Sequence, residues 1–520
     1  MTDLTWGIAV VAALGAALLL VLWLAHQSRR ALLSWYGRTA ERTIERIQGR
    51  IEPFKLARRP EIHRELLEDP GIREAIAEHA EEHGMSREAT TREVDRYIRE
   101  IVPFFNVLSY YRLGYAISRW LISLLYRVRI VTRDVKAPQR IPDGDVVVYL
   151  MNHRSNADYV VLAFVLSGTV SISYAVGEWA RTWPLEYIFK SFGSYFIRRR
   201  YRVPLYHKVL ERYVQLITRN GVTQGIFPEG GLTRDGALRP PKLGLLDYLI
   251  RTLADRNFAG DIWLVPVGIN YDRVLEDRTL IQERIVGTRT RGRFRQFGSV
   301  IHYVSRNLLR LAVGRFRRYG EVAVAFGSPM SVREWLAGKD RDVLSLPRHE
   351  RLGEIERLAG EALERIGRVV PVTPVPLAAC ALLSFGASVV PEDRLLERMD
   401  ELRDRLLEVE AVFANPRATT ADLWRRAWRM LQMRRLVVRQ GGGEMLVIMP
   451  RQRPLLEYYA NSLAHLLPDV TAASMTPAAE PDPTLPRLAR RDEMSIRTGS
   501  YAGPESVASN DGDEEAGKAG

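Results

Sequence analysis

Short apolar runs alternate with amphipathic stretches along the middle of the chain. The runs are DVVVYLM, VSISYAVG, SYFI, VTQGIF, IWLVPVGI and EVAVAFG, all rich in β-branched or aromatic residues. Between them, apolar positions recur every three to four residues, which is the period of an α-helix. Strands separated by helices in this way predict an α/β fold with a parallel or mixed sheet.

Charged helical patterns lie on both sides of this α/β region. IREAIAEHAEEHG precedes it, and EDRLLERMDELRDRLLEVE and LLEYYANSLAHLL follow it. We therefore predict an N-terminal helical domain at residues 31–120, the α/β domain at 121–370 and a C-terminal helical domain at 371–471. Residues 472–520 are rich in Pro, Ala, Ser, Gly and acidic residues and poor in large apolar ones, so we expect them to be disordered.

The longest apolar stretch lies near the N-terminus. Residues 6–25 carry no charge, and about 20 helical residues span a hydrocarbon core of about 30 Å. Arg29 and Arg30 follow the stretch, whereas a cleaved signal peptide has basic residues before a shorter apolar run. The pattern predicts a transmembrane helix within an anchor at residues 1–30, in the inner membrane, with the rest of the chain on the cytoplasmic side. A buried core helix is the alternative.

Two further stretches mix apolar and basic residues. Residues 104–130 are aromatic and leucine-rich but are interrupted by Arg112, Arg119 and Arg127, and residues 305–320 read SRNLLRLAVGRFRRYG. Such segments are typical of helices that lie in a membrane interface. Helices that face the protein core explain them equally well.

The net charge of +13 indicates an anionic partner, such as anionic lipid, a phosphorylated substrate or nucleic acid. Only seven of the 75 basic residues are lysines, and the planar fork of arginine suits phosphate. Codon bias in a GC-rich genome would also explain this excess. The single cysteine, Cys380, excludes an internal disulfide and a cysteine-based metal site.

The run that ends near Met151 is followed by His153 and, five positions later, by Asp158. Side chains five residues apart do not share a helix face, so we predict that this pair straddles a strand end and a helix start. Ser155 or Asn156 would then cap the helix. A carboxylate in that position can bind one imidazole nitrogen and leave the other to act as a base. A polar loop at a strand end is the alternative.

A second group of polar residues follows SYFI, where Arg198, Arg199 and Arg200 stand together. Adjacent arginines at a strand end can bind a phosphate bidentately. A solvated run of charges would give the same pattern.

The remaining candidates lie in GIFPEGGLTRDG and IWLVPVGINYD. In the first, Glu229, Gly230 and Arg234 follow a strand, and glycine lets backbone amides approach an anion closely. In the second, Pro266 interrupts an apolar strand, which predicts a sheet edge or a bulge. A plain glycine-rich turn and an ordinary edge strand are the alternatives.

Four sequence blocks, HRSNAD, GSYFIRR, EGGLTRDG and VPVGINYD, occur in this order. They resemble the blocks of the glycerolipid acyltransferase superfamily with its His-x4-Asp motif, in particular the long bacterial and mitochondrial glycerol-3-phosphate acyltransferases. The resemblance covers roughly residues 60–470. It implies that residues 121–370 are an acyltransferase domain, which transfers a fatty acyl group from acyl-CoA or acyl carrier protein to the 1-hydroxyl of glycerol 3-phosphate at a phospholipid membrane. The product would be lysophosphatidate, in the first step of phospholipid synthesis.

The resemblance also implies roles for residues of all four blocks. His153 would be the general base and Asp158 would orient it, while the arginines of the second and third blocks would hold the substrate phosphate. The residues implied to surround the substrate are Arg198, Arg199, Glu229, Gly230, Arg234 and Pro266. The family usually has an arginine where this chain has Leu232, and Lys242 is a candidate to compensate for it.

No cofactor or metal is expected, because a thioester is already activated and a positioned base is sufficient. Related acceptors, lysophosphatidate or dihydroxyacetone phosphate, are the nearest alternatives, although the large flanking helical regions favour glycerol 3-phosphate. A pseudoenzyme that has lost acceptor binding and a non-catalytic, membrane-anchored scaffold for anions remain open. The chain has no recognised nucleic-acid-binding motif, so no nucleic acid partner is expected.

Overall fold

A mixed β-sheet lies at the centre of the part of the chain that the structure describes. The computed structural model describes Phe54, Trp120, Gly442 and residues 59–104, 122–132, 141–166, 172–181, 185–191, 193–198, 201–286, 318–440 and 444–470. The described residues belong to one compact unit, residues 1–476.

The strands of the central sheet are β1 (Arg127–Thr132), β2 (Val146–Met151), β3 (Ser173–Gly177), β4 (Tyr195–Ile197), β5 (Gln224–Ile226), β6 (Ile262–Tyr271), β7 (Glu321–Phe326) and β8 (Met330–Ser331). Their order across the sheet is β1-β7-β6-β2-β5-β3-β4, and β8 also pairs with β6. Strands β2 to β6 are mutually parallel, while β7 and β8 run antiparallel to β6. The predicted α/β fold with a parallel or mixed sheet is therefore confirmed, and each of the six apolar runs contains a strand.

Helices precede the sheet, connect its strands and follow it. They are α1 (Arg59–Glu68), α2 (Pro70–Glu82), α3 (Arg87–Ile101), α4 (Asp158–Leu166), α5 (Leu185–Ser191), α6 (Pro204–Arg219), α7 (Gly244–Ile250), α8 (Asp277–Val286), α9 (Val332–Ala337), α10 (Arg348–Val369), α11 (Pro374–Ser384), α12 (Glu392–Glu408), α13 (Thr420–Met433) and α14 (Arg453–Ala460). A small antiparallel sheet of β9 (Val389–Pro391), β10 (Val437–Gln440) and β11 (Met445–Ile448) lies among the last helices.

The central sheet has an apolar core on each face, because successive side chains of a strand point to opposite sides. On the face that we call the α6 face, Val148 and Leu150 pack with helices α1 to α3, α6, α7 and α10. On the α11 face, Tyr149 and Met151 pack with α4 and α11 to α14. Burial on both faces explains why β2 is an almost continuous apolar run.

Strand β6 extends beyond the end of β2. Met151, the last residue of β2, pairs with Val267, whereas β6 continues for four more residues to Tyr271. At about 3.3 Å per residue, this extension is about 13 Å long. It provides a rigid surface beside the turn that follows β2.

The position of Pro266 corrects one prediction. Strand β6 lies between β2 and β7, so Pro266 does not mark a sheet edge. The other predicted feature, a bulge, agrees with the interrupted pairing here, because residues 265–266 of β6 stand opposite the three residues 327–329 between β7 and β8. Its carbonyl accepts a hydrogen bond from the amide of Gly327 at 2.8 Å, and the N and C=O of a strand residue point to the same side. The missing N–H therefore faces the break between β7 and β8, and the pairing of β6 with β2 is unaffected.

The end of the aromatic stretch at residues 104–130 also differs from expectation. Residues 127–130 belong to β1, which pairs in parallel with β7, and not to a helix. Arg129 lies on this strand and donates to buried Glu321 of β7 at 3.3 Å. The positive charge of Arg129 fits the polar surface of a helix in the sequence, but in the structure Glu321 of the neighbouring strand neutralises it.

Several predictions concern residues outside the described part. They are the transmembrane helix at residues 6–25, most of the stretch 104–130, nearly all of 305–320, and the tail at 472–520. In the ranges that the structure does describe, no helix combines the length and the apolar character needed to cross a bilayer.

Candidate active site

The turn after β2 brings His153 and Asp158 together. Asn152 anchors this turn to the extension of β6, because its side chain donates to the carbonyl of Ile269 at 2.9 Å and accepts from the amide of Ile269 at 2.7 Å. His153 is 1% exposed and Asp158 is fully buried. Their Nδ1 and Oδ2 atoms are 3.0 Å apart. The pair straddles the end of β2 and the start of α4, as its spacing predicts.

Asp158 accepts hydrogen bonds at both carboxylate oxygens. Besides His153, Oδ2 accepts from the amides of Arg154 at 2.8 Å and Ser155 at 2.9 Å, and Oδ1 accepts from the hydroxyl of Tyr271 at 2.5 Å. An ionised carboxylate only accepts, so the proton between the pair lies on His153 Nδ1. This fixes the tautomer in which Nε2 carries the lone pair.

Tyr271 belongs to the fourth sequence block, but no role followed for it from sequence. Its position at the end of β6, where the strand extends past β2, is the structural reason that it reaches Asp158. A tyrosine at the end of a long apolar strand is the only signal that could have indicated it.

Every backbone amide from residue 153 to residue 157 donates to a side-chain oxygen, at 2.8 to 3.2 Å. The donor and acceptor pairs are His153 with Glu229, Arg154 and Ser155 with Asp158, Asn156 with Glu276, and Ala157 with Ser155. Hydrogen bonds from side chains to turn amides fix a local backbone conformation. The candidate catalytic turn, residues 153–158, is therefore held by its own Asp158 and Ser155 and by acidic side chains from two other segments, Glu229 and Glu276.

Aromatic rings set the orientation of the imidazole. The ring of Phe227 stacks on the ring of His153, with centroids 3.9 Å apart, and Tyr159 meets it edge-on at 5.6 Å. Both aromatic residues belong to the core of the α11 face. The imidazole is thus fixed by packing as well as by Asp158.

Glu229 connects the third sequence block to the first. Its Oε1 accepts from the amide of His153 at 2.9 Å, and its Oε2 accepts from the amide of Arg239 at 3.1 Å. Burial raises the pKa of Glu229 to about 8, although both amides act in the opposite direction. The amide of Thr233 also donates to the carbonyl of His153 at 3.0 Å. Glu229 therefore supports the turn and lies beside His153.

Gly230 and Lys242 lie against each other. Gly230 has φ +65°, and a Cβ there would lie 2.7 Å from Cγ of Lys242, so both the backbone and the space require glycine. Arg234 is half-buried, and its Nε donates to Glu283 of α8 at 3.2 Å. Leu232 packs against the apolar core of the α11 face. The structure thus brings the third block to the catalytic turn.

Arg154 is a buried cation within the catalytic turn that sequence reasoning passed over. Its Nη1 donates to the carbonyl of Gly236 at 3.1 Å, and its guanidinium lies 5.1 Å from the ring centroid of Tyr458. Within the described residues, its buried Nε and Nη2 atoms have no hydrogen-bond partner. Arg154 therefore links the first block, the third block and α14.

The C-terminal helices also contact the site directly. Gly236 has φ +90°, and a Cβ there would clash with the carbonyl oxygen of Tyr458. Asn461 donates from Nδ2 to the carbonyl of Asp235 at 3.0 Å, and the Tyr458 hydroxyl donates to the carbonyl of Arg154 at 3.4 Å. Helix α14 and the residues after it thus form one wall of the third block.

Two predicted site residues are not brought to His153. Arg198 follows β4, which lies three strands from β2, or about 14 Å. Its guanidinium forms a bidentate pair with buried Glu100 of α3, at 2.7 and 2.5 Å, and packs with Tyr201 on the α6 face, whereas His153 lies on the α11 face. Pro266 lies within the sheet. Arg199 is outside the described residues.

A possible metal-ligand cluster lies elsewhere in the described chain. His79, Glu82 and His83, at the end of α2, have ligand atoms within 4.8 Å of one another. Helix α2 packs on the α6 face, away from the catalytic turn.

Comparison with known proteins agrees with the four sequence blocks. Residues 132–270 match the family model described as "Acyltransferase", and residues 306–476 match the model described as "Glycerol-3-phosphate acyltransferase C-terminal region". A protein named glycerol-3-phosphate acyltransferase from Aeromonas hydrophila is 29% identical over 86% of this chain and 55% of its own length. Another of that name, from Actinobacillus succinogenes, is 26% identical over 79% of this chain and 50% of its own length. The predicted resemblance is confirmed.

The chain spans about half the length of these curated relatives. Among solved structures, the 1-acyl-sn-glycerophosphate acyltransferase from Thermotoga maritima aligns with 52% of this chain and 81% of its own, at 16% identity and a TM-score of 0.28. That score is too low to support an argument about fold or function.

Proposed function

We propose that this chain is an acyltransferase that moves a fatty acyl group from a thioester, acyl-CoA or acyl carrier protein, to the 1-hydroxyl of glycerol 3-phosphate. The observation that carries the proposal is the buried contact between His153 and Asp158, with Nδ1 and Oδ2 3.0 Å apart, inside the region that matches the acyltransferase model. The similarity to proteins named glycerol-3-phosphate acyltransferase supports this acceptor.

In the proposed reaction, His153 Nε2 takes the proton of the acceptor hydroxyl as its oxygen attacks the thioester carbonyl carbon. Asp158 stabilises the imidazolium that forms and keeps the ring in place. The tetrahedral intermediate then collapses, the carbon–sulfur bond breaks, and the imidazolium returns its proton to the leaving thiolate. The products are the ester and a free thiol. These steps need no metal, because the thioester is already activated.

The direct test is an acylation assay with the full chain in membranes, labelled glycerol 3-phosphate and palmitoyl-CoA. We expect labelled lysophosphatidate. Lysophosphatidate and dihydroxyacetone phosphate are offered as acceptors in parallel, and faster turnover with either would replace the proposed acceptor. The proposed activity would be contradicted if none of the acceptors gave a product with either palmitoyl-CoA or palmitoyl-acyl carrier protein as the donor.

We expect Arg234→Ala to raise the KM for glycerol 3-phosphate by about 10- to 100-fold, because a lost charge-assisted hydrogen bond costs about 1.5–3 kcal/mol. The KM for palmitoyl-CoA should stay unchanged. The reason is the position of Arg234 in the loop that contacts His153, with its guanidinium half-buried. Initial rates at varied acceptor and donor concentrations measure both constants.

A matched control for this variant is Arg251→Ala. The side chain of Arg251 is as exposed as that of Arg234, 36% against 35%. It pairs with Glu211 of α6, which lies outside the catalytic turn and outside the third block. It should leave both KM values unchanged. A raised KM for palmitoyl-CoA in Arg234→Ala, with an unchanged KM for the acceptor, would assign this arginine to the phosphates of the donor instead.

We further propose that residues 1–30 anchor the chain in the inner membrane, with the acyltransferase domain and the flanking helical regions on the cytoplasmic side. The apolar run at residues 6–25 and the arginines that follow it support this. Deletion of residues 1–30 should release part of the protein from sedimented membranes, since residues 104–130 and 305–320 also combine apolar and basic side chains. Complete release of this variant at low salt would show that residues 1–30 are the sole attachment to the membrane. If none of the protein were released, the proposed anchor would be contradicted.

A further inference from the structure

Glu276 holds a different part of the catalytic turn from Glu229. It lies directly before α8, outside the four sequence blocks, and is only 7% exposed. Its Oε2 accepts from the hydroxyl of Ser155 at 2.7 Å, and its Oε1 accepts from the amide of Asn156 at 3.2 Å. Both donors lie between His153 and Asp158.

Ser155 transmits this contact to the proposed catalytic pair. Its amide donates to Asp158 Oδ2 at 2.9 Å, and its Oγ accepts from the amide of Ala157 at 3.1 Å while donating to Glu276. The oxygen of Asp158 that binds Ser155 is the same oxygen that binds His153 Nδ1. A shift of Ser155 therefore moves the carboxylate that orients the base.

Charge pairing does not explain why Glu276 is buried beside the turn. Within the described residues, no cation forms an ion pair with Glu276, and it lies close to the negative charge of Asp158. Burial and that neighbouring charge raise the pKa of Glu276 to about 7, while the bonds from Ser155 and Asn156 oppose the rise. A buried acid beside a like charge destabilises a fold unless its hydrogen bonds compensate. These two bonds are the compensation that the structure shows.

We propose that Glu276 is a positioning residue of the acyl-transfer site. It acts through Ser155 and keeps the Asp158 carboxylate in hydrogen-bonding position against the His153 imidazole. The proposal rests on the proposed function, since it requires that His153 be the base. It assigns to Glu276 no contact with either substrate.

The expected result for Glu276→Gln is a fall in kcat of about 10- to 100-fold, because misplacement of a catalytic group by about 1 Å can cost about 100-fold. The single acceptor oxygen of glutamine can keep the bond from the Asn156 amide, but the Ser155 hydroxyl loses its acceptor. It would have to turn and accept from the NH2 group while its oxygen also accepts from the Ala157 amide. Both KM values should change little, since neither substrate touches Glu276. Ser155→Ala removes the intermediary and should lower kcat in the same direction.

A double-mutant cycle separates positioning from general stability. If Glu276 acts through Ser155, the Glu276→Gln/Ser155→Ala double variant should lose about as much kcat as the more impaired single variant. The matched control is Glu211→Gln, since Glu211 is also 7% exposed but lies on α6 and pairs with Arg251. That control should keep its kcat, and thermal unfolding of all variants reports any loss of folding.

Two outcomes would overturn the proposal. One is a wild-type kcat in either Glu276→Gln or Ser155→Ala. The other is full additivity of the two losses, which would show that the residues act independently. If Glu276→Gln does not fold, Ser155→Ala alone decides the matter by the same criterion. Failure of the proposed function has a different signature, namely wild-type rates in His153→Ala.

Discussion

Replacement of His153 by alanine should lower kcat for acyl transfer by at least about 10²- to 10⁴-fold, which is the usual contribution of a general base. The imidazole is 1% exposed and lies between Phe227, Tyr159 and the carboxylate of Asp158. A water molecule that enters the vacated space cannot reproduce both the basicity and the fixed position of Nε2. The rate is measured with equal amounts of folded protein at saturating glycerol 3-phosphate and palmitoyl-CoA.

The chain contains a matched control for this variant. His63 Nε2 lies 2.7 Å from Asp95 Oδ1, so helices α1 and α3 carry a second histidine–aspartate contact. This contact is about a quarter exposed and belongs to the α6 face. His63→Ala should therefore retain the full rate. Equal rates in His153→Ala and His63→Ala would end the proposed role of His153.

Asp158→Asn should be the second most damaging change, with a loss of kcat of about 10²- to 10⁴-fold, while the fold is kept. The asparagine oxygen can take the place of Oδ2 and accept from the amides of Arg154 and Ser155 and from His153. Its NH2 group then faces the hydroxyl of Tyr271, which can turn to accept. The turn stays intact, but the negative charge that stabilises the imidazolium is lost.

Stability and activity should therefore respond differently to substitution of Asp158. Asp158→Asn should unfold close to the temperature of the unmodified chain, and both KM values should stay near their original values. Asp158→Ala removes the acceptor of the Arg154 and Ser155 amides and of His153, so it should lose stability as well as activity. If Asp158→Asn keeps more than about a tenth of the original kcat, Asp158 only orients the imidazole and its charge contributes little.

The strands of the central sheet could be predicted because burial on both faces leaves a local signal, a short apolar run. Strand β1 lacks that signal. Its arginines alternate with apolar residues, and Arg129 is neutralised by Glu321, nearly two hundred residues later in the chain. The sequence could not show that Pro266 lies inside the sheet for a similar reason, since the gap that accommodates it is formed by β7 and β8.

The contacts of the site also differ in how far apart the partners are in the sequence. His153 and Asp158 are close in sequence, so a strand end and a helix start were enough to predict their contact. Tyr271 and Glu276 reach the turn from more than a hundred residues away, through the register of β2 against β6. The partner of Arg198 was equally hidden, because Glu100 belongs to a helix that precedes the whole sheet. Local pattern predicts which residues can perform chemistry, whereas tertiary partners decide which of them are available.

The hydrogen bonding of the catalytic turn has a consequence for the transition state of the proposed reaction. Attack on a thioester places negative charge on the carbonyl oxygen, and enzymes commonly stabilise that oxyanion with backbone amides about 3 Å away. All five amides from residue 153 to residue 157 already donate to side-chain oxygens. The backbone of the turn that would supply the base therefore cannot also supply an oxyanion hole. Backbone amides that stabilise the oxyanion must belong to another segment of the chain, so substitutions there can impair charge stabilisation and leave proton transfer intact.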